Sequence, residues 1–200
     1  MVSKWVDTIT GPRDIVWTGG TSYGDTLFVA ESNTRDILGI TLMGNITTFS
    51  DCISEYPHAL GIDRTGNYSW GLYTATRGTD RILKIEPDGS TSIFSYFPTT
   101  IEGGPTDLIF DITGNYDNLM YLAIADEVTL NGIYKVAPDG NATVFAPEIT
   151  DALALSIDEN GSMFNGDLFV VGSTDSWKRD IFRITPSGES SLFIQGLYSN

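Results

Sequence analysis

The sequence predicts an all-β protein made of four tandem units, each a four-stranded sheet, and three observations support this prediction. Residues 82–94 return as 133–145 and 181–193, with a degenerate copy at 37–49. In every copy the turn glycine stands seven residues after an Ile, and a Phe follows five residues after the glycine. The turn glycines lie 45, 51 and 48 residues apart, a period typical of β-propeller blades. These glycines are Gly44, Gly89, Gly140 and Gly188.

Each copy reads as two antiparallel strands joined by a tight turn, which is Pro-Asp-Gly in the clearest case. In that copy Ile82, Ile93 and Phe94 are candidate buried positions. Two earlier strands complete the unit: residues 57–63 are mostly apolar or small, as in a strand buried on both faces, and residues 72–75 follow an Asp-x-x-Gly-Asn turn. Four strands per unit is the number in a propeller blade.

The predicted blades span approximately residues 12–56, 57–104, 105–151 and 152–200, and residues 1–11 form an extra N-terminal strand. Such a spare strand leaves backbone groups unpaired unless something covers them. Three alternatives follow: a closed four-bladed ring with an extra strand, part of a larger propeller, or a propeller completed by strand donation in an oligomer or filament.

Composition excludes several classes of protein. Eleven Lys and Arg stand against 26 Asp and Glu, a formal charge of -15, so the basic surface that nucleic acid requires is missing. No apolar run is long enough for a transmembrane helix, and a single cysteine, Cys52, excludes an intrachain disulfide. Four acceptor sequons favour an exported, extracellular or cell-surface glycoprotein. The sequon asparagines are Asn45, Asn67, Asn141 and Asn160.

The unit also resembles a known group of propellers. Its pattern is Pro-x-x-Leu-x-Ile-Asp-x-x-Gly-Asn, then Leu-Tyr-x-Ala, then Ile-x-Lys-Ile-x-Pro-Asp-Gly. This pattern is similar to NHL repeats and to the propellers of the SMP-30/gluconolactonase and strictosidine-synthase-like group, over residues 12–196. The resemblance implies a propeller fold, which hosts lactonases, lyases, receptors and adhesion modules alike.

The resemblance also implies where a metal would bind. In SMP-30-like lactonases a Glu, an Asn and an Asp near the channel mouth hold one divalent ion, which polarises the lactone carbonyl and activates water. Asp14, Asp107 and Glu31 are the residue types that would form such a set here, with a divalent cation such as calcium as the implied cofactor. Further polar candidates on this face and its loops are Arg13, His58, Thr106, Asn33, Arg77, Asp80, Asp126, Glu127 and Asp175.

Three other side chains are candidates for ligand binding. His58 is the only histidine, so a Ser-His-Asp triad would have to use it; a hydrogen-bonded structural role is the simpler interpretation. Trp70 and Trp177 lie in loops, where an exposed indole can stack on a sugar ring. The Asp-x-x-Gly turns lack the oxygen ladder of a calcium loop, so we interpret them as turns capped by the Asp side chain.

The leading hypothesis is an exported, non-catalytic propeller that acts as a structural or interaction module, without a cofactor, because no complete catalytic constellation is present. It would assemble with its own copies through the spare N-terminal strand, or with the remainder of a longer propeller. One alternative is a metal-dependent lactonase or hydrolase of the SMP-30-like type. The other is a carbohydrate-binding lectin.

Overall fold

Sixteen strands form four separate sheets. The computed structural model describes residues 9–51, 55–79, 81–97, 104–125, 132–159, 161, 163–173 and 179–196, and within these ranges it contains no helix. The strands are β1 (Pro12–Trp17), β2 (Leu27–Glu31), β3 (Asp36–Ile40), β4 (Ile46–Ser50), β5 (Tyr56–Ile62), β6 (Leu72–Arg77), β7 (Arg81–Ile85), β8 (Thr91–Tyr96), β9 (Gly104–Phe110), β10 (Met120–Ala125), β11 (Gly132–Val136), β12 (Ala142–Ala146), β13 (Thr150–Ile157), β14 (Leu168–Ser173), β15 (Asp180–Ile184) and β16 (Ser190–Ile194).

Each sheet is an antiparallel meander of four consecutive strands. We call β1–β4 blade 1, β5–β8 blade 2, β9–β12 blade 3 and β13–β16 blade 4. The first strand of each blade is innermost, and the innermost strands of consecutive blades pack side by side. The predicted all-β propeller of four four-stranded blades is therefore confirmed.

The core lies between blades rather than within one. One cluster of buried apolar side chains joins blade 1 to blade 2, a second joins blade 2 to blade 3, and a third joins blade 3 to blade 4. None of these clusters joins blade 4 back to blade 1 in the part of the chain that the structure describes. Each blade thus has a front face toward the next blade and a back face toward the previous one.

Three aromatic rings dominate each front face. In blade 2 they are Tyr68, Tyr73 and Phe94, with ring centroids 5.0–6.2 Å apart. The Tyr68 hydroxyl crosses into blade 3, where it donates to the Val136 carbonyl at 2.5 Å and accepts from the Met120 N–H at 2.9 Å. This tyrosine latch satisfies two main-chain groups at the ends of adjacent strands. Its equivalents are Tyr23 with Ile85 and Leu72, and Tyr116 with Ile184 and Leu168.

The recurring turn position requires glycine for a second reason, besides the backbone conformation of the turn. Gly140 has φ +84, and a Cβ built there would lie 2.3 Å from the carbonyl oxygen of Phe94 in the preceding blade. Gly89 meets the Phe49 carbonyl oxygen in the same way, at 2.2 Å. Only glycine therefore satisfies both the left-handed backbone and the close approach between blades.

The Asp turns are held by main-chain donors. The Asp63 carboxylate accepts hydrogen bonds from the N–H groups of Thr65, Gly66, Tyr68 and Trp70, at 2.8–3.1 Å. These bonds confirm the interpretation as capped turns, and they fix the latch tyrosine at its place in the turn.

One expectation about burial is wrong. Ile93 is 45% exposed, because β8 is the outermost strand and this side chain points away from the Phe94 face. Trp17, at the end of the innermost strand of blade 1, lines the channel and is 41% exposed. The predicted N-terminal strand covers residues 1–11, and residues 1–8 lie outside the described ranges. Among the described residues, none belongs to a helix with the length and apolarity needed to span a bilayer.

Candidate functional site

The innermost strands of the four blades line a partly open cavity of about 430 Å³. Strand residues such as Ile15 and Leu108 contribute apolar side chains to its walls, but polar groups make up most of the exposed lining. Four ionisable side chains line it: Asp14, Asp107, Arg64 and Glu159. A concave site with convergent polar groups can hold a polar small molecule.

Asp14 and Asp107 occupy equivalent positions in blades 1 and 3. Each opposes an alanine of the neighbouring strand, as Ala59 does in blade 2, whereas Ala154 at this level in blade 4 opposes Val171. One oxygen of each carboxylate accepts the N–H of the next residue in its own strand, at 2.7 Å. The other oxygen accepts an N–H from the following blade, Leu60 at 2.7 Å for Asp14 and Leu155 at 2.6 Å for Asp107.

Burial shifts the protonation of this pair. The pKa of Asp107 is raised from 3.8 to about 6, chiefly because burial disfavours its charged form, and the negative charge of Asp14 adds to the shift. Hydrogen bonds from Leu155 and Leu108 oppose it. The pKa of Asp14 is raised by burial as well. A carboxyl group with a pKa near 6 exchanges its proton readily at neutral pH, as acid–base catalysis requires.

Glu31 does not join the pair. It is buried, and it accepts main-chain hydrogen bonds from Thr10 at 3.0 Å, Gly11 at 2.9 Å and Asn33 at 3.0 Å. Its carboxylate therefore fixes the chain as it enters β1. The cavity wall includes Asp14 and Asp107 without it.

The three acidic side chains therefore do not fit the predicted metal site. Across the described ranges, no three His, Cys, Asp or Glu side chains come close enough to hold a metal ion. Both channel carboxylates already accept two main-chain hydrogen bonds each. We derive no step through a metal; whether the chain takes a cofactor stays a prediction.

His58 lies next to this level of the channel, at a bulge between Pro57 and Ala59. Burial lowers its pKa, and the positive charges of Arg13 and Arg77 lower it further, against a hydrogen bond with the Thr106 backbone. His58 is thus neutral at pH 7. Its Nδ1 is buried without a hydrogen-bond partner in the structure.

Sequence reasoning missed Arg64 as a site residue. It follows the Asp63 turn at the end of β5, and its guanidinium donates to the carbonyls of Gly19 at 3.1 Å and Trp17 at 2.9 Å. These bonds hold a positive charge on the cavity wall. A lone arginine after a turn gave no signal in the sequence, because only its place on the channel distinguishes it from a surface residue.

The remaining predicted positions are scattered. Trp70 is 55% exposed and lies in the turn between β5 and β6. Asn45, Asn67 and Asn141 are exposed, so glycosylation and an extracellular location stay predictions. Trp177, Asn160, Asp80, Asp126, Glu127 and Asp175 lie outside the described residues.

The geometry defines a β-propeller with a channel site, and solved structures show what it is similar to. A gluconolactonase from Xanthomonas campestris matches 94% of this chain and 64% of its own, with 17% identity and a TM-score of 0.72. A virginiamycin B lyase from Staphylococcus aureus, solved with quinupristin, matches 92% and 55%, with 19% identity and a TM-score of 0.65. A PQQ-bound aldose sugar dehydrogenase from Streptomyces coelicolor matches 92% and 63%, with 14% identity and a TM-score of 0.70.

At these identities the likeness establishes the fold, which agrees with the resemblance to gluconolactonase-like propellers. The chain spans 55–64% of the length of these three structures. No protein-family model matches the sequence, and neither does any curated protein.

The comparisons contradict the leading hypothesis of a non-catalytic structural or interaction module. The three similar propellers named above are a gluconolactonase, a lyase and a sugar dehydrogenase, all of them enzymes. They favour an enzyme over a non-catalytic module, but at these identities they do not define its reaction. The sequence favoured a non-catalytic module because it shows no cluster of catalytic residue types. The two channel carboxylates stand 93 residues apart, and only the fold brings them to one cavity.

Proposed function

We propose that this chain is a propeller enzyme that hydrolyses a small cyclic ester in its central channel, with Asp107 as the general acid–base. The observation that carries the proposal is the placement of two buried carboxyl groups, Asp14 and Asp107, on the wall of one cavity large enough for a sugar-sized ring, where burial raises the pKa of Asp107 to about 6. The gluconolactonase among the similar structures supports the choice of a lactone as substrate class.

The reaction needs one group that takes a proton and gives it back. The ionised Asp107 removes a proton from a water molecule as the water oxygen attacks the lactone carbonyl carbon. The ring C–O bond of the tetrahedral intermediate then breaks, and Asp107 returns the proton to the departing ring oxygen. The product is an open-chain hydroxy acid.

Two neighbours assist this step. Burial raises the pKa of Asp107 and the negative charge of Asp14 adds to the shift, so that the proton is transferred back without a large penalty. Arg64 presents a guanidinium on the cavity wall, where it stabilises negative charge that develops on the carbonyl oxygen.

The test is a pH-stat assay with glucono-1,5-lactone and a panel of other sugar and aliphatic lactones. Wild-type protein is expected to exceed spontaneous hydrolysis, and Asp107→Asn to lose at least a hundredfold of that rate. Asp117→Asn is the matched control, because Asp117 lies in an exposed turn with positive φ, which Asn tolerates. Because no step of the proposed reaction involves a metal, activity is expected to survive a chelator.

No hydrolysis of any lactone by folded wild-type protein would refute the proposal, as would full activity in Asp107→Asn. Circular dichroism and urea unfolding establish that each variant is folded before its rate is compared.

A further inference from the structure

Trp70 has a backbone conformation that disfavours a large side chain. It lies two residues after the latch tyrosine of blade 2, in the turn between β5 and β6, with φ +56, and Ser69 before it has φ +60. The residues at this place in blades 3 and 4 are Asn118 and Gly166, also at positive φ. Asparagine and glycine adopt this region readily, whereas a bulky residue there costs conformational free energy. The tryptophan therefore needs an explanation that the turn alone does not supply.

Burial does not offset this cost. The Trp70 side chain is 55% exposed, and among the described residues it belongs to none of the three core clusters. The turn is fixed instead by the buried carboxylate of Asp63, which accepts the N–H groups of Tyr68 and Trp70 at 2.9 Å each. These bonds use the main chain and do not require an indole. A strained residue without a packing gain is typical of a functional position.

The indole has a defined place on this turn. A Cβ built on Gly66 would lie 2.9–3.2 Å from three ring atoms of Trp70, so the ring lies directly against the glycine. In blade 3 the equivalent Gly114 meets only the Asn118 side chain, at 3.8–4.0 Å. Gly66 thus leaves room for the ring besides adopting its own φ of +86. The result is an aromatic platform that the turn supports and that is more than half exposed.

The surroundings of the platform indicate what it binds. Asn67 and Ser69 are exposed on the same turn, and the Asn67 side-chain amide donates to the Asn118 carbonyl of blade 3 at 3.3 Å. An apolar ring with polar groups on the same turn suits a pyranose, whose C–H groups contact the indole while its hydroxyls form hydrogen bonds. A stacked nucleic-acid base is disfavoured, because the formal charge of the chain is -15.

We propose that Trp70 is a carbohydrate-binding platform on which one pyranose ring of a β-1,4-linked saccharide stacks. In such sugars the ring substituents are equatorial, so the axial C–H groups form flat faces that match an open indole. Trp70 is not among the residues that line the channel cavity, so the platform is separate from the proposed catalytic site and independent of the proposed activity. One stacked ring gives weak, reversible binding, with a Kd of about 1 mM.

Saturation-transfer NMR tests the proposal, with cellotetraose, xylotetraose and chitotetraose as probes and with protein that carries no glycan on Asn67. Wild type is expected to transfer saturation to the ring C–H protons of at least one tetraose. Trp70→Asn is expected to bind at least about tenfold more weakly, because the stacking surface is lost. Its midpoint of urea unfolding is expected to equal or exceed that of wild type, because asparagine tolerates positive φ. A structural tryptophan would give the opposite change in stability.

Two controls separate the platform from general effects of substitution. Gly66→Ala and Gly114→Ala both place a Cβ at positive φ, but only the Cβ at Gly66 meets the indole. Only Gly66→Ala is therefore expected to weaken binding, by at least about threefold. Met43→Asn removes an 84% exposed side chain from a turn at the same end of the propeller, and it is expected to bind as wild type does. Circular dichroism establishes that each variant is folded.

Four results would each overturn the proposal. The first is that folded wild type transfers saturation to none of the three tetraoses. The second is that Trp70→Asn binds as well as wild type or unfolds at a lower urea concentration. The third is equal binding by Gly66→Ala and Gly114→Ala. The fourth is that choline chloride quenches the Trp70 fluorescence while none of the tetraoses does, which would assign the indole to a cationic ligand.

Discussion

Replacing Asp107 with Asn is expected to remove a pH dependence of stability that follows from the burial of this carboxyl group in the channel. The folded pKa of Asp107 is about 6, against 3.8 for the unfolded chain. Because the folded state holds the proton more tightly, this carboxyl group favours folding at low pH, and that contribution is lost as pH rises from about 4 through about 6. Asn does not titrate, so the variant lacks this dependence.

The size of the effect follows from the shift. About 2 pH units at 1.36 kcal/mol each give about 3 kcal/mol, of which roughly 2.5 kcal/mol falls between pH 4 and pH 7. The free energy of unfolding of wild type, minus that of Asp107→Asn, is therefore expected to decrease by this amount over that interval. Taking the difference cancels the titration of the groups that do not interact with Asp107; Asp14 is the charged neighbour that does.

Urea unfolding followed by tryptophan fluorescence at pH 4, 5, 6 and 7 measures this difference. The control Asp117→Asn is expected to give a difference that stays constant within about 0.5 kcal/mol. A constant difference for Asp107→Asn would mean that the buried carboxyl group titrates as it does in the unfolded chain, and a difference that increases with pH would mean that folding lowers its pKa; either result would refute the reasoning.

Two further predictions concern the blade junctions. Tyr68→Phe is expected to lower the free energy of unfolding by about 2–4 kcal/mol, because two buried main-chain groups lose their partner; Tyr96→Phe, at a side chain that is 63% exposed, is the control in the same urea titration and is expected to change little. Gly140→Ala is expected to cost at least 2 kcal/mol more than Gly24→Ala, since both have positive φ but only Gly140 meets a carbonyl oxygen of the preceding blade. Equal losses within either pair, measured by thermal and urea unfolding, would contradict the role of the junctions.

The fold could be predicted from the sequence because each repeat is marked by residues that lie close together along the chain. A turn glycine at a fixed distance from an Ile and a Phe indicates a hairpin wherever it recurs, and its period indicates blades. The alternation of side chains correctly predicted that Ile82 is buried. For Ile93 the same reasoning failed and the side chain is exposed, because alternation along an outermost strand does not show whether a neighbour covers its far side. Tyr68 and Tyr116 were visible as a recurring residue in the Gly-Asn-Tyr turn, but their bonds to the next blade span 52–68 residues and have no local signal.

The candidate site was predicted only in part, for a physical reason. Residue type placed Asp14 and Asp107 on the channel, and the structure brings both to one cavity. The sequence could not show that three main-chain N–H groups donate to the Glu31 carboxylate, nor that burial raises the pKa of Asp107. Those properties depend on which N–H groups and apolar walls surround each carboxylate, and only the packed blades determine them.

The pH dependence of lactone hydrolysis tests most directly whether the channel carboxyl group is catalytic. A general base with a pKa of about 6 predicts that kcat/KM increases between pH 5 and 7 and levels off above, with an inflection near pH 6 that Asp107→Asn lacks. A rate that increases only with hydroxide concentration, or an inflection near pH 6 that persists in Asp107→Asn, would contradict it.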